Sequence, residues 1–359
     1  MKRVMSSAYM QWAKKRSGSR YNLATSGLAS YPLSGLPVAV EDLDPLTRAG
    51  DYGYPPLQEA VAAHCGVAAE NVVTAAGTSM ANMLAMAAIL EPGDEVLVEH
   101  PTYELLLAAL GYLQADIHRF PRRAVTGFAL DPAEVERAIT PRTRLVVITN
   151  LHNPSSAFAT EEQLRAIGAI ARRAGARVLV DEVYLDAVYE ETPRTSAHLG
   201  PEFVVTSSLT KVYGLSGLRC GWILAQPDLA RAMWQMNNLL AATPVYPGEL
   251  LSVAAFQQLD RIREKWRRVV EADRVLLNEF LDRQTGVSAV RTGFGTTSFM
   301  RLRQGDAEEF LARLRAEFET SVAPGRFFGM SGHFRVGMGV NTEMFGEGLR
   351  RIGACLAKA

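Results

Sequence analysis

Residues 203–225, FVVTSSLTKVYGLSGLRCGWILA, decide the reading of this chain. A bulky apolar run, Phe203 to Ser207, gives way to hydroxylic residues, then Lys211, then a loop bearing two glycines. A second apolar run follows from Gly221 to Ala225. Short apolar runs bounded by turn residues are the pattern of buried strands. The loop between them sets an amine just past the carboxyl end of a strand, where open α/β sheets bind their ligands.

Upstream the same alternation repeats. Strands are expected at Val72 to Thr74, Glu95 to Val98, Leu145 to Thr149 and Val178 to Asp181, with stretches of helical length between them. Thr160-Glu161-Glu162 caps a helix over Gln163 to Arg173, and Asp131-Pro132 opens one over Ala133 to Ile139. Met80 to Leu90 is apolar but interrupted by Asn82, and it is far short of the roughly 20 residues that span a bilayer, so a buried helix is expected. Such alternation, joined by right-handed crossovers, predicts an α/β fold with a mostly parallel sheet covered by helices.

After Pro247 the pattern changes to long charged helical stretches, Glu249 to Phe280, and then to strands near Ser298 to Leu302 and His333 to Gly337. Three parts are therefore expected. Residues 1–36 form a polar, irregular N-terminal segment that packs on the small domain or on a partner subunit. Residues 37–247 form the large domain, and residues 248–359 a smaller α+β domain. A length of 359 residues suits this division, since single domains usually run to roughly 100 to 200.

With 38 basic and 38 acidic side chains and 48% hydrophobic residues, the composition is that of an ordinary globular protein. No charge excess points to nucleic acid or to an anionic membrane surface. The first twenty residues are basic but lack an apolar stretch and a small-residue cleavage site, so a cytoplasmic location is expected. Cys65, Cys220 and Cys355 are scattered without metal-site or disulfide-framework spacing, and no metal is expected.

The residues just past each expected strand form a consistent set. Ala76-Gly77-Thr78-Ser79 is a small-residue turn into a helix, a place that offers backbone N–H groups and a positive helix end to a phosphate. Asn150-Leu151-His152-Asn153-Pro154 follows the third strand, Asp181-Glu182-Val183-Tyr184 the fourth, and Ser208-Leu209-Thr210-Lys211 the fifth. Each alone is ordinary loop chemistry. Together they bring a phosphate cradle, an amide, a carboxylate, a phenol and an amine to one crevice, which is what a phosphorylated pyridine aldehyde requires.

Over essentially its whole length the chain resembles the class I/II aminotransferases of the fold type I pyridoxal-phosphate family. The sharpest match is Ser208 to Trp222, with a serine three residues before Lys211 and an arginine eight residues after it. The resemblance implies a seven-stranded sheet in the large, pyridoxal 5'-phosphate-binding domain, and a homodimer with shared active sites. It implies that Lys211 is the Schiff-base lysine and the proton carrier, and that Asp181 pairs with the pyridine nitrogen. Gly77, Thr78, Ser79, Ser208 and Arg219 then hold the phosphate. Asn153 and Tyr184 reach the ring's phenolic oxygen, and Tyr103 stacks on the ring. Arg335 takes the substrate carboxylate, with Arg326 as the competing choice. Gly27, in Asn22 to Gly27, lies beside the substrate. Asp51-Tyr52-Gly53-Tyr54 resembles the segment whose tyrosine crosses the dimer interface; Tyr52 is preferred over Tyr54.

Two departures concern the substrate. Asn150-Leu151-His152-Asn153-Pro154-Ser155-Ser156 keeps the ring-contacting asparagine but lacks a proline and a glycine common in the family, and His152 reads as a satisfied loop residue. No further arginine motif marks a dicarboxylate pocket, so a neutral or aromatic amino acid is expected, with a 2-oxo acid as its partner in a ping-pong transamination. A lyase, decarboxylase or cyclising enzyme on the same site, such as a carbon-sulfur β-lyase, is the main alternative, because these activities reuse the same first contacts. A non-catalytic pyridoxal-phosphate sensor is the remote one, since no DNA-binding module accompanies the site.

Overall fold

The computed structural model describes residues 3–15, 18–43, 52–189 and 193–358. A short helix, α1 (Ala8–Lys15), and a two-residue strand, β1 (Tyr21–Asn22), come first. The large sheet follows from β2 (Val72–Ala76), β3 (Glu95–His100), β4 (Asp116–Pro121), β5 (Thr143–Thr149), β6 (Arg177–Asp181), β7 (Phe203–Ser208) and β8 (Cys220–Leu224). Its order is β2-β8-β7-β6-β5-β3-β4. Strands β3 to β7 pair in parallel, and β8 runs antiparallel to both of its neighbours.

The reversal at β8 has a local cause. Between Ser208 and Cys220 the chain makes only one 3-10 turn, Ser216–Leu218, whereas a parallel neighbour would need a crossover of a dozen or more residues, usually helical. The chain therefore turns back on itself. Arg219, which immediately precedes β8, is thereby delivered to the same sheet edge as the carboxyl ends of β2, β5, β6 and β7.

The helices on the sheet are α2 (Pro55–Cys65), α3 (Thr78–Ile89), α4 (Glu104–Tyr112), α5 (Pro132–Ala138), α6 (Glu161–Ala174) and α7 (Pro227–Ala241). Alternate strand residues feed two cores. Val146, Ile148, Val178, Val180 and Val205 pack with α2 and α6, while Leu145, Val147, Leu179 and Val204 pack with α3, α4 and α7. Burial on both faces explains why these strands read as continuous apolar runs. The expected caps are present: Asp131 accepts from Ala133 N, and Thr160 forms a reciprocal capping box with Gln163.

Beyond the sheet come α8 (Tyr246–Phe256) and α9 (Leu259–Arg283), then β9 (Val287–Ala289), β10 (Thr297–Leu302), α10 (Ala307–Phe318), β11 (Thr320–Ser321), β12 (Ala323–Pro324), β13 (His333–Gly337) and α11 (Thr342–Leu356). Four of these strands form an antiparallel sheet in the order β12-β13-β10-β9, and β11 pairs in parallel with β1. This pairing ties the N-terminal segment to the C-terminal part of the chain. Among the described residues, no helix is long and apolar enough to cross a membrane.

The helical stretches expected from Glu249 to Phe280 are α8 and α9, which part where Gln258 leaves the helical region at φ −133° and ψ 15°. Two elements differ from expectation. The edge strand β4 escapes a reading based on apolar runs because only Phe120 along it is buried. The N-terminal segment, expected to be irregular, contains α1, whose buried residue is Tyr9.

Candidate active site

A cavity of about 700 Å³ opens at the carboxyl edge of the large sheet. Thr78, Ser79, Tyr103, Asn153, Asp181, Tyr184, Lys211 and Arg219 all line it, so eight of the residues singled out from sequence meet at one place.

Beneath them, Gly77 ends the turn after β2 at φ 81° and ψ 170°. A Cβ there would stand 2.4 Å from Arg219 Nη2, so only glycine fits while the guanidinium lies over the turn. Arg219 has a left-handed backbone, φ 53°, and donates from Nη2 to Ala76 O at 2.9 Å and from Nη1 to Ser216 O at 3.3 Å. Thr78 Oγ1 donates to Ser208 Oγ at 2.8 Å, and Ser208 Oγ accepts from Thr210 N at 3.3 Å. Two hydroxyls, a guanidinium and the N-terminus of α3 converge, a donor set suited to a phosphate dianion.

At the end of β6, Asp181 is buried. Its Oδ2 accepts from Asn82 Nδ2 at 2.8 Å, and its Oδ1 from Val183 N at 3.1 Å. Burial pushes its carboxyl up to about 6, although the Asn82 and Val183 hydrogen bonds and the Lys211 charge pull the other way. A cationic ring nitrogen beside this carboxylate would relieve that burial cost. At the end of β7, Lys211 is packed against Gly27: a Cβ on Gly27 would lie 3.4 Å from Lys211 Cδ, and Leu28 N donates to Lys211 O at 3.0 Å. Tyr184 Oη donates to Ser26 Oγ at 2.7 Å. The turn that only a glycine can fill, the anion-binding donors, the buried carboxylate and the amine together fit a phosphorylated pyridine cofactor.

On β13, opposite Phe299 of β10 and Ala323 of β12, Arg335 is completely buried. Its Nη1 donates to Asn153 Oδ1 at 2.8 Å, and its Nη2 donates to Tyr9 Oη at 3.0 Å and to Ala24 O at 3.2 Å. Arg335 thus reaches the cavity wall through Asn153 and Tyr9. Arg326, the competing choice, is exposed, pairs with Glu308 and covers the Phe327 ring, away from the cavity. Tyr103 stands edge-on to Tyr9 with ring centroids 5.0 Å apart.

Tyr52 is not brought into the cavity of its own chain. It is 52% exposed, beside Trp234 and Asn238. His152 is buried with Nδ1 on Ser155 Oγ at 2.6 Å and Nε2 on Pro101 O at 2.9 Å, and burial holds it well below the usual histidine range, so it is neutral and satisfied in its loop. Asn82 and Tyr9 are site residues that sequence reasoning missed. A lone amide in an apolar helix needs a buried partner, which was a usable signal for Asn82. Nothing near Tyr9 in the sequence marks it.

The chain matches the family described as Aminotransferase class I and II over residues 37–352. It is 29% identical over 306 residues to the arginine–pyruvate transaminase of Pseudomonas aeruginosa, covering 81% of this chain and 76% of that one. Capreomycidine synthase of Streptomyces vinaceus is 28% identical over 355 residues, covering 95% and 91%. The fold is also that of a pyridoxal-phosphate-dependent aminotransferase from Streptococcus suis, with a TM-score of 0.91 at 24% identity over 99% of both chains. With the residues at its sheet edge suited to the group and the family match spanning most of its length, this chain belongs to the class I and II aminotransferases, enzymes whose cofactor is pyridoxal 5'-phosphate.

Proposed function

We propose that the protein transfers the amino group of a neutral or aromatic amino acid to a 2-oxo acid. The observation that carries this reading is the chemistry of the cavity wall. Among the described lining residues the only charged side chains are Asp181, Lys211 and Arg219, and all three are committed to the cofactor. The rest of the wall is apolar, aromatic, hydroxylic or amide, including Met10, Trp12, Met83, Leu106, Tyr112 and the three asparagines Asn22, Asn82 and Asn153. A substrate side chain carrying a carboxylate or a guanidinium would find no described counter-charge there.

Each residue then has a chemical task. Bound pyridoxal phosphate supplies an electron-accepting pyridinium ring and an aldehyde carbon able to carry an amino group. Arg219, Ser208, Thr78, Ser79 and the turn at Gly77 hold its phosphate. Asp181 keeps the ring nitrogen protonated, Asn153 and Tyr184 hydrogen-bond the ring oxygen, and Tyr103 covers the ring. Lys211 Nζ is the group that takes the proton from the donor's Cα and returns one to the acceptor's Cα in the reverse half-reaction. The expected kinetics are ping-pong because the amino group would remain with the cofactor after the first oxo acid leaves. Arg335 orients the α-carboxylate, as a planar fork can.

The protein is further read as a cytoplasmic homodimer. Exposed Tyr52, Leu239, Leu240 and Val245 support a second copy of the chain as the cover for this face, and they favour Tyr52 as the residue that crosses to the neighbouring site. The C-terminal sheet has an apolar core of its own, which supports a separate small domain, while Leu28 and Leu36 before residue 37 and Ala255, Leu259 and Ile262 after residue 247 pack into the core of the large sheet. A second reading, cyclisation of a bound amino acid, is favoured by the likeness to capreomycidine synthase along 95% of the chain.

One experiment separates these readings. The visible spectrum of the purified enzyme is followed while single amino acids are added without any oxo acid. Stoichiometric loss of the cofactor's aldehyde band with neutral or aromatic amino acids, together with release of the matching oxo acid, supports transamination. Release of pyruvate, ammonia, carbon dioxide or a cyclised product with the band retained overturns it.

A further inference from the structure

Arg335 has no face open to the cavity. Its side chain is 0% exposed, and each of its terminal nitrogens is already engaged. The third nitrogen, Nε, is buried without a hydrogen-bond partner among the described residues. Three of its five N–H donors are used and the side chain is fully covered, so a carboxylate can reach this fork only if a group that now covers it gives way. The candidates are Asn153, Ala24 O and Tyr9. Asn153 is assigned to the cofactor ring, and Ala24 O belongs to the backbone. Tyr9 alone offers a side-chain oxygen that no other role claims, 3.0 Å from Arg335 Nη2, and the residue also lines the cavity.

We propose that the Tyr9 hydroxyl is a placeholder for one oxygen of the substrate α-carboxylate, holding Arg335 oriented in the empty enzyme and yielding when substrate binds. This rests on the reading of Arg335 as the carboxylate-binding residue. The surroundings of Tyr9 suit an anion's position. Burial alone would raise the phenol's affinity for its proton, yet the charges of Arg335 and Lys211 outweigh it and draw the group below its ordinary range. An oxygen site held between two cations is one that a carboxylate oxygen occupies more favourably than a neutral phenol.

The carrier of the placeholder is well anchored. Glu104, in the first turn of α4, accepts from Ser7 Oγ, from Ala8 N at 3.1 Å and from Tyr9 N at 3.4 Å, fixing the start of α1 at the cavity mouth. The Tyr9 ring is wedged edge-on against Tyr103, Phe327 and Phe328. Ring packing sets where the hydroxyl stands, so Tyr9→Phe removes the oxygen and keeps the wedge. Tyr9 is on this account a positioning residue whose hydroxyl competes with substrate. The enzyme gains an oriented guanidinium and gives up part of its affinity for carboxylates.

The test is calorimetric titration of the cofactor-loaded enzyme with 3-phenylpropionate, an aromatic carboxylate with no amine to react. Tyr9→Phe is expected to bind it about fivefold more tightly than the unaltered protein, the fold-change of one net hydrogen bond. The KM for the amino acid should fall with kcat little changed. The same Tyr9→Phe change made on top of Arg335→Gln should have no effect on binding. Equal or weaker binding by Tyr9→Phe overturns the proposal, since loss of a merely structural contact would not tighten a ligand. If Arg335→Gln alone leaves 3-phenylpropionate binding unchanged, the assignment of Arg335 fails, and the placeholder fails with it.

Discussion

Asn82 Nδ2 donates to Asp181 Oδ2 at 2.8 Å while Asn82 Oδ1 accepts from Thr206 Oγ1 at 2.6 Å, so one amide clamps the buried carboxylate to the neighbouring strand β7. All three side chains are buried. Asn82→Ala removes the donor and strands the Thr206 hydroxyl. Cofactor affinity should fall by about tenfold and stability by about 1 to 3 kcal/mol. Spectroscopic cofactor titration and denaturant unfolding would measure both, and an unchanged cofactor affinity would mean that Asp181 is oriented by Val183 N alone.

The raised Asp181 carboxyl makes stability depend on pH in the cofactor-free protein. Because its folded value is about 6, above that of an unfolded aspartate, the native state holds the extra proton between roughly pH 4 and 6. Its contribution is complete below about pH 4 and is lost as pH rises through 6. Asp181→Asn, which stays neutral, should match the unaltered protein near pH 4 and exceed it above pH 7, by at most about 3 kcal/mol. Thermal unfolding curves that stay parallel across this range would remove burial as the cause.

Borohydride reduction of the loaded enzyme, followed by peptide mass spectrometry, should place the cofactor's mass on the peptide containing Lys211. Lys211→Ala should lose the covalent product and at least about 10²- to 10⁴-fold in transamination rate, the range of a general acid–base group. Labelling at any other lysine would displace Lys211 from the mechanism.

Gly77→Ala puts a methyl group 2.4 Å from Arg219 Nη2 at a backbone φ of 81°. Strain of about 1 to 3 kcal/mol is expected, with a larger loss of cofactor retention because Arg219 must leave the turn. Dialysis against buffer, monitored by absorbance, would show the cofactor escaping. Retention equal to that of the unaltered enzyme would mean that the phosphate sits elsewhere.

Leu239 and Leu240 are exposed at the end of α7, near Tyr52. On the proposed dimer, Leu239→Glu should shift the protein to monomer in light-scattering chromatography and weaken cofactor binding, because Tyr52 would no longer reach a neighbouring site. A variant that remains dimeric at low micromolar concentration would place the interface on another face.

Much of the site was legible in the sequence because it is local to strand ends. An apolar run buried on both faces is unmistakable in β5, β6 and β7, and the residues that follow it, Asn153, Asp181, Ser208 and Lys211, reach the sheet edge by chain continuity alone. Gly77 and Arg219 were legible for a similar reason, since each immediately flanks a strand. Edge strand β4, half-buried along most of its length with only Phe120 fully buried, carries no such pattern and was invisible.

What the sequence by itself determined is therefore the succession of buried strands along the chain, the residues at their carboxyl ends and the chemistry those residues share. Only the tertiary structure decided which distant groups complete the site. Arg335 meets Asn153 across 182 residues and Tyr9 across 326, and Asn82 meets Asp181 across 99. No periodicity encodes such contacts. They arise because buried polar groups must find partners wherever the packed core brings them, and that requirement is satisfied in space rather than along the chain.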